Sequence, residues 1–249
     1  SIDVNGGVTG TGNIIVSNAS GSNFGSTVRF GLKEVNPVGT ITFGNTPYLG
    51  GVATTIATLN EITGGVGPNV SALIQNSGVN PATISGGTVR VGAGGLALTS
   101  NAAAKLTVSA PTSGSGAITL NLNHASGGID LTGALNHTGG LIINRFNSGA
   151  FTITNIANLN GPVSFGGTLT TAYNSSFAFG AGVSVLSQNS SVSPFTQSGA
   201  MTVGAAGKSF AVNGAADFTL SGALTGTGNV NLQANSTGTL TVSGGLSFS

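Results

Sequence analysis

Charge is what this chain lacks most. Of its 249 residues only 4% are Asp, Glu, Lys or Arg, against roughly a quarter in an ordinary soluble domain. The acids are Asp3, Glu34, Glu61, Asp130 and Asp217; the bases are Arg29, Lys33, Arg90, Lys105, Arg145 and Lys208. So few, scattered bases exclude a surface that tracks nucleic-acid phosphates. A net charge of +1 gives almost no repulsion between copies, and near-neutral surfaces associate. The chain reads as part of an assembly or a surface layer, not as a freely diffusing enzyme. Cysteine is absent, which excludes a disulfide framework and thiolate metal sites and is compatible with a bacterial exterior. No run of about 18 apolar residues exists, so no membrane helix is expected. Two Tyr, no Trp and twelve scattered Phe do not make the aromatic girdles of a transmembrane barrel. Ser1 opens directly into strand-like sequence, the reading of a mature, trimmed or fragmentary chain.

What is present is glycine, 43 residues of it, with 39% hydrophobic residues and a mean hydropathy of +0.34. That apolar content is too high for a solvated low-complexity coil. The apolar residues alternate in short runs, as in Lys105-Leu106-Thr107-Val108, Ala117-Ile118-Thr119-Leu120-Asn121-Leu122 and Thr239-Leu240-Thr241-Val242. Each run puts one apolar face inward and one hydroxyl or amide face outward, the signature of a strand. Glycine, Asn and Ser pairs punctuate the runs and supply sharp corners. Runs begin about every 10 to 12 residues, so every second one lies about 22 residues on.

Internal similarity separates a solenoid from a sandwich. Leu131-Thr132-Gly133-Ala134-Leu135 recurs as Leu220-Ser221-Gly222-Ala223-Leu224, and Thr9-Gly10-Thr11-Gly12-Asn13-Ile14 as Thr225-Gly226-Thr227-Gly228-Asn229-Val230. A stacked coil also tolerates the lack of charged, solvating loops. The stretch from Phe218 to Ser249, with Leu220 to Val230 followed by Gly238-Thr239-Leu240-Thr241-Val242-Ser243-Gly244, resembles the autotransporter-associated β-strand repeats of bacterial surface proteins. It is more loosely similar to the filamentous-haemagglutinin class. The likeness spans about residues 83–249, with echoes in residues 1–20. It implies a right-handed parallel β-helix, exported and displayed outside the cell, and it carries over no catalytic residues.

Three stretches follow: 1–20 as the first coil or coils, 21–82 as an irregular excursion or cap, and 83–249 as solenoid repeats. The middle stretch holds four charged residues, Pro37, Pro47 and Pro68, and a helix-compatible piece in which Val70, Leu73 and Ile74 fall at i, i+3 and i+4. Within it, Asn36-Pro37-Val38-Gly39 resembles, over four residues, a motif from the secretion domains of two-partner adhesins.

Parallel β-helices include polysaccharide-degrading enzymes, whose chemistry needs particular groups. Glycoside hydrolysis needs two neighbouring carboxylates, and a lyase a base, often with a Ca²⁺ cluster of acids. Five acids spread along the chain read instead as corner or cap carboxylates. His124 and His137 could meet on neighbouring coils and hold a metal with Asp130; their Asn, Ser and Gly contexts read as solvated turns. Gly207-Lys208-Ser209 ends like a phosphate-binding loop, but position 202 is Thr where that loop needs Gly, so it reads as a coil turn. No catalytic, cofactor or metal residues are assigned.

The sequence therefore predicts an all-β, right-handed parallel β-solenoid with Leu106, Ile118, Leu120, Ile129, Leu131, Ile153, Leu220, Leu240 and Val242 pointing inward. Some ten coils at about 4.8 Å each make a rod of roughly 50 Å. The function it points to is a structural subunit of an extracellular bacterial fibre, sheath or surface matrix. Head-to-tail self-association is expected through Ile2, Val4, Thr239, Leu240, Thr241, Val242 and Phe248, where no charge or proline guards a strand edge. Three alternatives stay open: a single-chain adhesin for cell-surface glycans, a polysaccharide-degrading enzyme, and an ice-binding solenoid built on Thr-x-Thr pairs. With so few titrating groups, stability is expected to vary little between about pH 4 and 9.

Overall fold

The computed structural model of the chain describes residues 2–17, 28–30, 34–44, 60–78 and 80–249. Every strand pairing in it is parallel. Among the described residues there is no α-helix, only the 3₁₀ turn Ile156–Asn158, and no helix is long and apolar enough to cross a membrane. The chain is a β-solenoid of about nine turns.

Three faces wind around one core. Face A stacks Ile2–Val4, Val28–Phe30, Asn60–Ile62, Ala82–Ile84, Lys105–Val108, Gly128–Leu131 and Ala150–Ile153 as a seven-stranded sheet. It resumes as a four-stranded sheet of Tyr173–Ser175, Phe195–Gln197, Phe218–Leu220 and Leu240–Val242. Face B is an eleven-stranded sheet running from Val8–Thr11 through Leu96–Ser100 and Leu141–Arg145 to Val230–Ala234. Face C is made of short pieces, Val89–Val91 on Thr112–Gly114 and Met201–Val203 on Leu224–Gly226 on Leu246–Phe248, joined by single bridges at Val66, Leu135 and Phe179.

Alternation in the sequence becomes columns in the fold. Leu98, Leu120 and Ile143 stand one above another in register, each 0% exposed. Leu106, Ile118, Ile129, Leu131, Ile153 and Leu220 are buried as expected. Leu240 and Val242 are not: they pack on the core but are only half-buried, because they form the last rung of face A and no strand of the described chain lies above them.

The repeated pentapeptides and hexapeptides occupy equivalent corners. After Leu131 the carbonyl of Val108 accepts both Thr132 N–H and Gly133 N–H; after Leu220 the carbonyl of Gln197 accepts both Ser221 N–H and Gly222 N–H. A Cβ on Gly133 or Gly222 would sit 2.1 Å from a carbonyl oxygen of the coil below, so a side chain there would force the two coils apart. The two Thr-Gly-Thr-Gly-Asn copies each run into a face-B strand, Ile14–Ser17 and Val230–Ala234, with Gly10 at φ 123° and Gly226 at φ 147°.

Residues 21–82 differ from expectation. Their described strands, Val28–Phe30, Val35–Gly44, Asn60–Ile62 and Val70–Gln75, continue the faces in register, so the stretch supplies coils of the rod. Residues 21–27, 31–33 and 45–59, which include Pro47, lie outside the described residues. The helix-compatible piece is the strand Val70–Gln75. Its pairing with Val35–Gly44 shifts by a residue between Gly39 and Thr40, so Val70 and Leu73 both face inward across a bulge. An extra residue in a strand imitates the i, i+3 spacing of a helix.

Asparagine ladders run up the corner that leaves face B. Asn101 Nδ2 donates to Asn76 Oδ1 at 2.9 Å and Asn123 Nδ2 to Asn101 Oδ1 at 2.7 Å. A second ladder links Asn189, Asn213 and Asn235, each step 2.9 Å. Asn213→Ala removes both bonds of that ladder. At about 0.5–1.5 kcal/mol per exposed amide bond, it should cost about 1 kcal/mol and lower the melting temperature by roughly 2–4 °C, measured by circular dichroism.

Candidate functional site

The described acids are each engaged with a neighbour. Glu34 takes Arg90 in a two-pronged pair, 2.6 and 2.7 Å, and Asp130 takes Lys105 Nζ at 2.9 Å. Glu61 accepts from Ser85 Oγ, and Asp217 Oδ1 from Thr239 N–H. The side chain of Asp3 lies outside the described residues.

The histidines do not join Asp130: among the described residues no three His, Cys, Asp or Glu come together. His124 Nδ1 accepts the N–H groups of Ser126 and Gly127 and so closes its own turn. His137 is not the solvated turn residue its context suggests. It is 0% exposed, with Nε2 2.9 Å from the Gly140 carbonyl and Nδ1 2.8 Å from Thr112 Oγ1. A carbonyl only accepts, so Nε2 carries the hydrogen and Nδ1 receives the threonine hydroxyl. Burial lowers its pKa.

Gly207-Lys208-Ser209 forms a coil corner as expected, with Gly207 at φ 84° and Lys208 opening the strand Lys208–Val212. The lysine, however, turns inward. It is 3% exposed, its Nζ donates to the Gly180 carbonyl at 2.9 Å, and burial pulls its pKa down to about 8.

Sequence reasoning also passed over a repeated tripeptide. Gln75-Asn76-Ser77 and Gln188-Asn189-Ser190 build the same corner between faces B and A. Gln75 is fully buried; its Nε2 donates to Asn80 O and its Oε1 accepts Ser77 N–H, both at 2.9 Å. Gln188 repeats this with Ser193 O and Ser190 N–H. The amide satisfies backbone groups that the turn withdraws from the ladders, which would otherwise be costly. The tripeptide repeat itself was the available signal.

Another corner of this column carries Arg145. In register it stands above Gln75, Ser100 and Leu122, yet it is a cation in a column of neutral side chains. Its guanidinium carbon lies 4.8 Å over the Tyr173 ring. Tyr173 stacks on Phe195 (centroids 5.8 Å, 10°) and leans on Phe151 and Phe165 at 5.3 and 5.5 Å. Here too face A breaks, between Ala150–Ile153 and Tyr173–Ser175. Burial lowers the pKa of Arg145 and raises that of the Tyr173 hydroxyl.

The end residues expected to self-associate fall on two separate turns. Ile2 and Val4 lie in a strand that pairs, among the described residues, with Val28–Phe30; their side chains lie outside the described residues. Thr239, Thr241 and Phe248 are exposed on the last turn, beside half-buried Leu240 and Val242. Leu232 (52%), Leu246 (61%) and Phe248 (44%) leave apolar surface open there.

No family model, curated protein or solved structure matches the chain.

Proposed function

We propose that the chain is a non-catalytic structural rod of an extracellular bacterial fibre or surface matrix, lengthened by stacking one turn on another. The observation that carries this reading is the run of parallel turns, each pairing edge to edge with the next, under a nearly uncharged surface. Among the described residues, Val230–Ala234, Leu240–Val242 and Leu246–Phe248 each pair on one edge only. Leu246 continues the column of buried Leu224 but is itself 61% exposed. The same parallel ladders would accept a further turn, whether of a continuing chain or of a second copy. Near-zero net charge leaves nothing to oppose the approach. Lack of cysteine and the resemblance to bacterial surface repeats support the extracellular setting. The engagement of each described acid with a structural partner supports a role without catalysis.

At micromolar concentration the purified chain should scatter light increasingly with time and show rods in negative-stain micrographs. The double substitution Thr241→Lys and Leu246→Lys places charge on the outer turn and should suppress growth while leaving the far-ultraviolet spectrum in place. A monodisperse monomer of the unsubstituted chain would reject the stacking.

A further inference from the structure

We propose that the notch at Arg145 binds a carboxylate-bearing sugar ring. This does not depend on end-on stacking, since the notch lies on the side of the rod, where face A is interrupted.

Three observations converge there. First, Arg145 is a cation without a counter-charge: no carboxylate of the described residues reaches it, whereas Arg90 and Lys105 each hold one. Its Nη1 is buried and without a hydrogen-bond partner, a rarity in folded proteins that calls for an explanation. Second, the corner is built to keep the cation. In the same column Gln75 satisfies the corner with a neutral amide, whereas here the guanidinium is held 4.8 Å over the Tyr173 ring. Third, the surroundings are shaped for a ring. A notch of about 220 Å³ is lined by Arg145, Ser148, the Gly149–Ala150 backbone, Phe151 and Tyr173. That is smaller than the roughly 300–1,000 Å³ of pockets for drug-sized ligands, so it admits one ring-sized group.

The chemistry selects the ligand. A guanidinium fork matches a carboxylate with two parallel hydrogen bonds, as Arg90 and Glu34 do in this same chain at 2.6 and 2.7 Å. The half-buried Phe151 ring gives an apolar wall for the C–H face of a sugar, and the Ser148 hydroxyl gives a polar partner for ring hydroxyls; Tyr173, with Arg145 over it and Phe195 stacked on it, fixes the guanidinium. A hexuronate carries all three features on one ring.

The test uses the only tyrosine in the notch as the reporter. The chain has two tyrosines and no tryptophan, so in a Tyr48→Phe background the emission comes from Tyr173 alone. Titration with D-glucuronate at millimolar concentration should change that emission to saturation. D-glucose and acetate should bind about tenfold more weakly or not at all. Arg145→Gln should abolish the response, and Ser148→Asp, at an exposed position that sets a carboxylate beside the guanidinium, should block it without touching the core. Should Arg145→Gln fail to fold, Ser148→Asp decides. No saturation, an equal response to glucose, or a response surviving Ser148→Asp would overturn the proposal. Acetate binding as tightly as glucuronate would overturn the sugar assignment.

Discussion

Leu120→Asp should cost at least about 5 kcal/mol and melt the turns on either side of it. Leu120 is 0% exposed, clamped in register between Leu98 and Ile143. Truncating such a leucine removes about 2–5 kcal/mol of packing, and an unpaired carboxylate in an apolar column adds several more. In a solenoid each turn touches only its neighbours, so the loss should be local first. Circular dichroism should show a partial loss of strand signal, and limited proteolysis should cut near residues 96–145 while the distant turns persist. Thr119→Asp is the control. Thr119 is the next residue on the same strand, half-exposed between Ala97 and Ile142, and its replacement should cost about 1 kcal/mol or less. Equal damage from both would mean that strand parity does not set the core.

The parity that makes this contrast was legible in the sequence wherever a strand is regular. Ile118, Leu120 and Leu122 alternate without interruption and are all buried. Legibility failed where a residue is inserted. Val70 to Gln75 looked helical because a bulge puts Val70 and Leu73 on the same side, and the register shift of Val183–Gln188 against Gly161–Gly166 brings Val183 and Leu186 inward in the same way. Corner glycines were visible as repeats, since the close approach of successive coils at Gly133 and Gly222 leaves no room for a Cβ without a shift. Inward polar residues were not. Gln75, Gln188, His137 and Lys208 have the composition of a surface and the address of a core. Their burial depends on which corner carbonyls and N–H groups lack a ladder partner, and that is decided by how successive turns stack. In the sequence Arg145 is one of six scattered bases; what sets it apart is Tyr173, 28 residues along, which the fold puts under its guanidinium.

These buried groups change the expected response to pH. Stability should rise as the pH climbs from about 8 towards 10, where a sequence with so few charges suggested a flat profile. Lys208 titrates at about 8 in the fold against 10.5 when free. Between those values the unfolded chain holds a proton that the folded chain has released, so raising the pH favours folding. The full shift corresponds to roughly 3 kcal/mol. Lys208 also lines the rim of an open groove with Ser209 and Asn231, and partial hydration there trims the gain to about 2 kcal/mol. At roughly 2–4 °C per kcal/mol, the melting temperature should increase by about 4–8 °C. The gain reverses near the ordinary phenol range, because Tyr173 keeps its proton in the fold when the unfolded chain has lost it. On the acid side the slope has the same sign as for Lys208. His137 has a lowered pKa, so below about pH 6.5 the unfolded chain takes up the proton first and stability falls. Lys208→Met should remove the alkaline rise and stabilise the chain at pH 7 by about the same 2 kcal/mol, since it spares the fold a buried ammonium. Thermal melts of both chains from pH 5 to 10 decide it: a flat alkaline arm in the parent, or an identical rise in the methionine variant, would place the lysine in water and not in the core.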